Sequence, residues 1–437
     1  MGRDRAARLC HVLRMTPRPE MSRGSMAVAA FSTVVEWYDF TLYLYFATVL
    51  GRVFFGGGGA SLLAALGGFA IAYLMRPFGA IVFGHIGDRI GRRHMLLRSV
   101  AMMTAAMLAT ALLPTRAEIG AAAGWLLILL RCVMGFSVGG EYTGVVAYLL
   151  EGAPEGRRGL IASSASAASE IGGLLAVGVS AVTVASMSEA DLQSWGWRIP
   201  FLVGAALAGS VWIARSTMQE SPEFERQKSR GSVPELPLRH ALTSHRAGIA
   251  RAFAISALGS ITYYVGITYV PAFLNSAGKL SERDSLWLST IAAVVVILVT
   301  PLAGAWSDRI GRKRVLILLA VLSAALPITM FAMMASGARA QALVGALVLA
   351  AVAGMFSAVG AVATAEQFPG EGRVTGLALG ATGATAIFGG LTPWLAQWLV
   401  ERTGWTMAPG AMIALVAVAA LPVFLMMRET APRRPRS

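Results

Sequence analysis

The chain has 437 residues, of which 56% are hydrophobic and only 14% are charged. Soluble domains carry about 25% charged residues, so the composition excludes an ordinary soluble protein and predicts one that spans a membrane. The net charge of +14 does not indicate nucleic-acid binding, because the basic residues lie in short loops between apolar runs rather than on one compact module.

Twelve apolar runs are long enough to cross a bilayer core of about 30 Å, which takes roughly 20 helical residues. The predicted spans are 26–50, 60–83, 95–113, 121–150, 160–184, 199–214, 247–274, 285–306, 315–336, 340–366, 374–400 and 407–427. The sequence therefore predicts an all-α polytopic membrane protein.

Lysine and arginine residues predict the orientation of these spans. If the amino terminus is inside, 28 of the 37 basic residues fall in the tails, the cytoplasmic loops or their helix ends. Seven then lie outside, and two, Arg76 and Arg131, lie within spans. Because cytoplasmic loops carry an excess of basic residues, both termini are expected on the cytoplasmic side of a cell (inner) membrane.

The longest polar interval, residues 215–246, divides the spans six and six. Its composition predicts a flexible cytoplasmic linker between an amino-terminal bundle, 26–214, and a carboxy-terminal bundle, 247–427. Residues 1–25 are rich in arginine and have no apolar face, so a disordered cytoplasmic tail is expected there. Residues 428–437 are expected to form a second cytoplasmic tail.

An internal repeat relates the two halves. GHIGDRIGRR at 84–93 recurs as GAWSDRIGRKR at 304–314, 220 positions later, and each copy joins the second and third helix of its half. A fainter echo pairs Glu151 with Glu366 at the ends of the fourth and tenth spans. Two six-helix repeats with pseudo-symmetry are typical of alternating-access carriers.

The duplicated loop resembles the signature of the major facilitator superfamily. Four further stretches, EWYDF at 36–40, LMRPFGA at 74–80, GFSVGGEYTG at 135–144 and SWGWRIPF at 194–201, resemble the metabolite–proton symporters of that superfamily. Members of that subfamily carry citrate, 2-oxoglutarate, shikimate, proline or betaine. The fifth span lacks the Gly-Pro motif of the drug-efflux antiporters, which argues against export by antiport.

The resemblance implies that the duplicated loops form an inner gate whose Asp–Arg contacts hold the outward-facing state. The predicted gate residues are Gly84, Asp88, Arg89, Gly91, Arg92, Glu151, Asp308, Arg309, Gly311, Arg312, Glu366 and Arg373.

Charged residues within the first six spans predict the coupling chemistry. Ionised groups are costly in hydrocarbon and usually mark a pathway, a proton relay or an ion pair. The predicted proton-coupling residues are Glu36, Asp39, Glu141 and Glu170. Arg131 and Arg76 are predicted to bind substrate, because a guanidinium receives a carboxylate in a bidentate manner. The alternative is that these groups pair internally and only hold helices together.

Tyrosines in the first and seventh spans add a second set of candidate substrate ligands. Tyr43, Tyr263 and Tyr264 can bind a carboxylate through their hydroxyls or a quaternary ammonium through their rings. The substrate is therefore open between an organic anion, which Arg131 favours, and a zwitterion of the proline or betaine type. The anion is the expected choice.

These patterns together predict a secondary transporter. It is expected to act as a monomer and to import a small carboxylate-bearing metabolite with protons by alternating access, without a cofactor or a metal. An exporter or a membrane receptor is a weaker alternative. An enzyme is not expected, since the sequence contains no G-x-S-x-G, HExxH or GxxxxGK[ST] motif.

Overall fold

The computed structural model describes residues 22–56, 59–154, 156–231, 237–270, 273–274, 277–280, 282–369 and 373–431. Residues 1–21 of the predicted first tail, 232–236 of the predicted linker and 432–437 of the predicted second tail lie outside these ranges. Nearly all of the described residues are helical.

Twelve segments follow one another in the order that the apolar runs predict, and several consist of two or more consecutive helices. They are α1 (Arg23–Tyr45 and Ala47–Phe55), α2 (Gly59–Arg89), α3 (Arg92–Ala111), α4 (Ala122–Val138 and Glu141–Gly152), α5 (Arg158–Ser186), α6 (Arg198–Ser216), α7 (Arg246–Tyr263 and Tyr264–Thr268), α8 (Glu282–Ile310), α9 (Arg312–Ala325 and Pro327–Ala335), α10 (Arg339–Ala365), α11 (Arg373–Leu377, Ala378–Thr382, Gly383–Thr385, Ala386–Leu391 and Thr392–Thr403) and α12 (Ala408–Met426). The predicted all-α architecture with twelve helices is confirmed.

Length and composition alone support most of these spans. Over the described ranges, nine helices are long and apolar enough to cross a membrane, and the two halves of α9, bent by 41°, make a tenth if they count as one span. The α7 and α11 segments contain π-helical stretches, Tyr264–Thr268 in α7 and Ala378–Thr382 and Ala386–Leu391 in α11. Such stretches frequently occur at functional sites.

The helices form two bundles, and four helices make most of the contacts between them. In the amino-terminal bundle α1 packs on α5, α2 on α4 and α3 on α6, while in the carboxy-terminal bundle α10 packs on α7 and α8, and α9 on α12. Contacts between the bundles run mainly from α5 to α8 and from α2 to α11.

Glycines allow α2 and α4 to approach closely. A Cβ atom added to Gly135 would overlap the carbonyl oxygen of Ala72, and one added to Gly139 would overlap the carbonyl oxygen of Arg76. Small residues at such positions let membrane helices pack backbone to backbone. This close contact fixes Arg76 of α2 beside the middle of α4.

The interval predicted as a linker contains two short helices among its described residues, Pro222–Ser229 and Pro237–Ser244. The first begins after Ser221, whose hydroxyl accepts a hydrogen bond from the Phe224 N–H at 3.1 Å, with Pro222 at the first helical position. Arg215, the first residue of the predicted linker, instead lies in the last turn of α6 and is fully buried.

Candidate transport site

A cavity of about 170 Å³ lies between the two bundles. Its charged lining residues in the described part of the chain are Glu36, Arg76 and Glu170. Hydroxyl-bearing side chains from both bundles make up much of the remaining wall: Tyr142, Thr143, Ser166, Ser169, Ser256, Ser260, Tyr263, Tyr264, Ser357, Thr364, Thr382 and Thr385. A polar cavity where the two repeats meet is the usual substrate site of an alternating-access carrier.

Glu36 and Arg76 form a buried ion pair at one side of the cavity. Arg76 Nη2 donates to Glu36 Oε1, and Arg76 Nη1 donates to the Tyr73 hydroxyl at 3.2 Å. The Arg76 guanidinium also lies 4.2 Å from the centre of the Phe40 ring. Glu36 Oε2 is buried and has no hydrogen-bond partner within the described residues. The prediction that Glu36 and Arg76 belong to the transport chemistry is consistent with this placement and stays a prediction.

Two consecutive tyrosines of α7 connect the bundles at the cavity wall. The Tyr263 hydroxyl donates to Glu170 Oε1 of α5 at 2.5 Å. The Tyr264 hydroxyl shares a hydrogen bond with the hydroxyl of Tyr73 on α2. Trp37 packs its ring edge-to-face against Tyr263, with ring centres 5.3 Å apart. These contacts bring the predicted residues Glu170, Tyr263 and Tyr264 together.

Asp39 and Arg131 lie outside the cavity lining, inside the amino-terminal bundle. Arg131 Nη1 donates to Asp39 Oδ2 at 2.8 Å, and Arg131 Nη2 donates to the Thr110 hydroxyl at 3.2 Å. The Arg131 guanidinium lies 5.2 Å from the centre of the Tyr43 ring. The Tyr43 hydroxyl in turn donates to the Ala65 carbonyl oxygen at 2.9 Å. Arg131 therefore contacts both the Asp39 carboxylate and the Tyr43 ring, and the predicted role of Arg131 and Tyr43 in substrate binding stays a prediction.

Glu141 forms a third buried pair, with Arg215 of α6. Arg215 donates to both carboxylate oxygens of Glu141, and the Ser99 hydroxyl donates to Glu141 Oε2 at 2.6 Å. Arg215 Nη1 also donates to the Leu96 carbonyl oxygen at 2.8 Å. The pair joins α3, α4 and α6, and neither member lines the cavity. This geometry favours a structural role for Glu141 over the predicted role in proton coupling.

Replacing Glu141 by glutamine is expected to lower stability without changing the affinity for solute. Removing one partner of a buried pair costs about 3–5 kcal/mol, because the other charge stays buried without compensation. Thermal unfolding of the purified variant should show the loss, and solute affinity should stay close to that of the unmodified protein. A variant with normal stability but without proton coupling would instead support the role predicted from the sequence.

The predicted gate residues meet at one end of the bundles, here called the gate end. Asp88 Oδ1 and Oδ2 accept hydrogen bonds from the backbone N–H groups of Val374 and Thr375, at 3.2 and 2.8 Å. Asp308 accepts in the same way from Gly159 and Leu160, at 2.8 and 3.0 Å. Each aspartate thus binds the first turn of the fifth helix of the opposite bundle, where the helix dipole favours negative charge.

Arginines of the same loops support these aspartates from within each bundle. Arg92 Nη1 lies 3.0 Å from Asp88 Oδ1, and Arg312 Nη2 lies 2.6 Å from Asp308 Oδ1. Glu151 adds a link between the bundles, since Arg92 lies 3.2 Å and Arg373 lies 2.8 Å from its Oε1 atom.

Four of the remaining predicted gate residues differ in their contacts. Glu366 lies 3.4 Å from Arg312, the counterpart of the contact between Glu151 and Arg92. Gly84 packs against the α11 backbone, where an added Cβ would lie 3.0 Å from the Thr375 Cα. The Arg89 and Arg309 side chains are exposed.

Gly91 and Gly311 have φ values of +126° and +105°, which side-chain-bearing residues rarely adopt. Each glycine precedes a helix whose first N–H groups are capped by a glutamate that the sequence analysis did not single out. Glu220 accepts from Arg92 N at 2.8 Å, and Glu429 accepts from Arg312 N at 2.7 Å. A weak repeat, Glu-Ser-Pro at 220–222 and Glu-Thr-Ala-Pro at 429–432, was the available signal.

Family models match both halves of the chain. The model for sugar (and other) transporters matches residues 25–235, and the model for the Major Facilitator Superfamily matches residues 277–437. Among solved structures, the proton:xylose symporter XylE with bound 6-bromo-6-deoxy-D-glucose superimposes with a TM-score of 0.77 at 22% identity. The match covers 93% of this chain and 96% of that chain, and it shows the same fold.

Curated relatives match over nearly the whole length. The Proline/betaine transporter of Escherichia coli (strain K12) is 32% identical over 422 residues, which cover 94% of this chain and 84% of that protein. The Alpha-ketoglutarate permease of the same strain is 34% identical over 406 residues, or 92% of each chain. The Citrate-proton symporter of Klebsiella pneumoniae is 31% identical over 401 residues, covering 91% and 90%. The chain belongs to the major facilitator superfamily and, within it, to the metabolite–proton symporters.

Proposed function

We propose that this protein imports a small zwitterionic carboxylate of the proline or betaine type together with a proton. The observation that carries this choice is the charge balance of the cavity. Arg131, the residue that favoured an organic anion, is paired with Asp39 outside the cavity lining. Arg76, the one basic side chain among the described lining residues, is already paired with Glu36. With Glu170 also in the wall, the described lining has one more acidic than basic side chain, which disfavours a solute of net negative charge but not a neutral zwitterion.

The orientation and the direction of transport are part of the same proposal. We place the gate end on the cytoplasmic side, as the distribution of basic residues predicts. Asp88, Asp308 and Glu151 hold the bundles together at that end. Solute then enters the cavity from outside and leaves when these contacts break.

Asp39 is the proposed proton carrier. The residue is 1% exposed, its Oδ2 pairs with Arg131, and its Oδ1 has no hydrogen-bond partner in the described part of the chain. An unpartnered buried carboxylate oxygen is costly, so a proton is a favourable occupant of it. Because the pair lies outside the cavity lining, it can load a proton without competing with the solute.

Import of a small organic acid is the second candidate. Arg76 reaches the cavity, and the carboxylate of a substrate could replace Glu36 as the partner of its guanidinium. The curated relatives include transporters named for both kinds of solute. The two candidates therefore differ in whether the solute also needs a cationic end.

Reconstitution with a pH-sensitive dye trapped in the lumen tests the proposal. Glycine betaine, proline, 2-oxoglutarate, citrate and shikimate are added outside, one at a time, to proteoliposomes of the purified protein. We expect glycine betaine or proline to acidify the lumen and the organic acids to have no effect. Acidification by an organic acid alone would support the second candidate. No signal from any solute, with folded protein present, would reject proton-coupled import of these solutes.

A further inference from the structure

One acid of the cavity has no cationic partner among the described residues. Glu170 lines the cavity and keeps 8% of its surface exposed. Its one described hydrogen bond is the donation from the Tyr263 hydroxyl, at 2.5 Å. No arginine, lysine or histidine lies within ion-pair distance of it in the described ranges. Glu36, by comparison, has its charge balanced by Arg76.

Aromatic rings stand beside this acid. Trp37 contacts Tyr263 edge-to-face with ring centres 5.3 Å apart, and the centre of the Tyr264 ring is 6.5 Å from that of Trp37. All three side chains line the cavity, and the Trp37 indole nitrogen is buried without a hydrogen-bond partner within the described residues. Aromatic faces next to a carboxylate are the environment that binds ammonium groups, including quaternary ones.

The cavity therefore has one side with the Glu36–Arg76 pair and another side with Glu170, and Trp37 lies between them. Glu36, which precedes Trp37 in α1, forms an ion pair with Arg76. The Trp37 ring contacts the ring of Tyr263, whose hydroxyl donates to Glu170. Arg76 suits the carboxylate end of a solute, and the side chains of Glu170, Tyr263 and Trp37 suit a cationic end. This arrangement deepens the proposed function and rests on it.

We propose that Glu170 is the specificity-determining residue that selects solutes with a cationic end. The ionised form of its carboxylate, which a bound cation favours, attracts an ammonium group and repels a second carboxylate. Binding preference is therefore set by a residue in direct contact with solute rather than by a proton carrier. The sequence had suggested proton coupling for the same carboxylate.

A pair of isosteric ligands isolates this effect. Glycine betaine and 3,3-dimethylbutyrate share a carboxylate and a bulky trimethyl end, and they differ in having nitrogen or carbon at its centre. Binding of each to purified protein is measured by titration calorimetry at neutral pH. The unmodified protein is expected to prefer glycine betaine by about tenfold or more, and Glu170→Gln is expected to reduce that ratio several-fold, to the preference that the aromatic rings alone contribute. Glu170→Met should give the same ratio and serves if the glutamine variant does not fold.

Tyr263→Phe is the matched control, because it breaks the same contact between α5 and α7 but keeps the charge of Glu170. Because its phenyl ring stays in the cavity wall, the affinity for both ligands can change, but its preference for glycine betaine is expected to stay larger than that of Glu170→Gln. If Glu170→Gln weakens both ligands equally and keeps the ratio, the assignment of Glu170 is wrong while the proposed function stands. A preference of the unmodified protein for 3,3-dimethylbutyrate, or binding of neither ligand, would reject the zwitterion proposal and this assignment with it.

Discussion

Proton-driven accumulation of solute is expected to disappear when Asp39 is replaced by asparagine, while exchange of solute across the membrane continues. Asparagine keeps an oxygen that can accept from Arg131 but cannot take up or release the proton. With one proton per solute, a pH difference of one unit sustains about a tenfold accumulation. The variant should reach only equal concentrations on both sides.

The position of Asp39 explains why exchange of solute across the membrane should continue in this variant. Asp39 and Arg131 lie outside the cavity lining, so the substitution leaves the solute-binding side chains in place. Exchange needs only that the loaded carrier can open alternately to the two sides, which requires no net proton movement.

Two transport assays on one preparation separate these properties. Uptake of labelled solute under an inward proton gradient reports accumulation, and counterflow of the same label reports exchange. Glu141→Gln serves as the matched control, since it also neutralises a buried acid paired with arginine in the amino-terminal bundle. It is expected to be less stable but still able to accumulate solute. Normal accumulation by Asp39→Asn would show that another group carries the proton.

The second large effect concerns the gate end. Replacing both Asp88 and Asp308 by asparagine is expected to open it. Each aspartate binds two backbone N–H groups of the opposite bundle and one arginine of its own loop. Hydrogen bonds to charged groups contribute about 1.5–3 kcal/mol each. Loss of both carboxylates should therefore shift the equilibrium toward the gate-open state by about a hundredfold or more.

A cysteine at Thr364, which lines the cavity on α10, reports this opening. Cys10 and Cys132 are first replaced by serine, and inside-out vesicles are then treated with an impermeant maleimide. Labelling of the new cysteine should be slow when Asp88 and Asp308 are present. It should be much faster when both are replaced by asparagine. Arg89→Gln with Arg309→Gln is the matched control, because these arginines belong to the same motif but are exposed. Equal labelling in all three proteins would contradict the role given to the aspartates.

The sequence was sufficient to predict much of this architecture. The lengths of the apolar runs and the duplicated Asp-Arg-x-Gly-Arg loops determined twelve helices in two repeats. The cost of a buried charge made Glu36, Asp39 and Glu170 stand out in apolar spans. These signals are local, or repeat at a fixed spacing, so a single sequence contains them.

The partners of those residues could not be predicted in the same way. Spacing shows which face of a helix a residue occupies, but not which helix lies opposite. Asp88 therefore looked like a partner of arginine, whereas its contacts across the bundles are backbone N–H groups of α11. Arg215 looked like a residue at the start of a basic linker, because only the packing of α3, α4 and α6 buries it against Glu141.

The sign of the charge that moves with the solute tests the central proposal most directly. A zwitterion carried with one proton moves one positive charge inward, whereas a monovalent organic anion carried with one proton moves none. Proteoliposomes on a solid-supported membrane should therefore give an inward positive current on addition of glycine betaine, and Asp39→Asn should abolish it. Solute uptake without such a current, or a current of opposite sign, would contradict proton symport of a zwitterion.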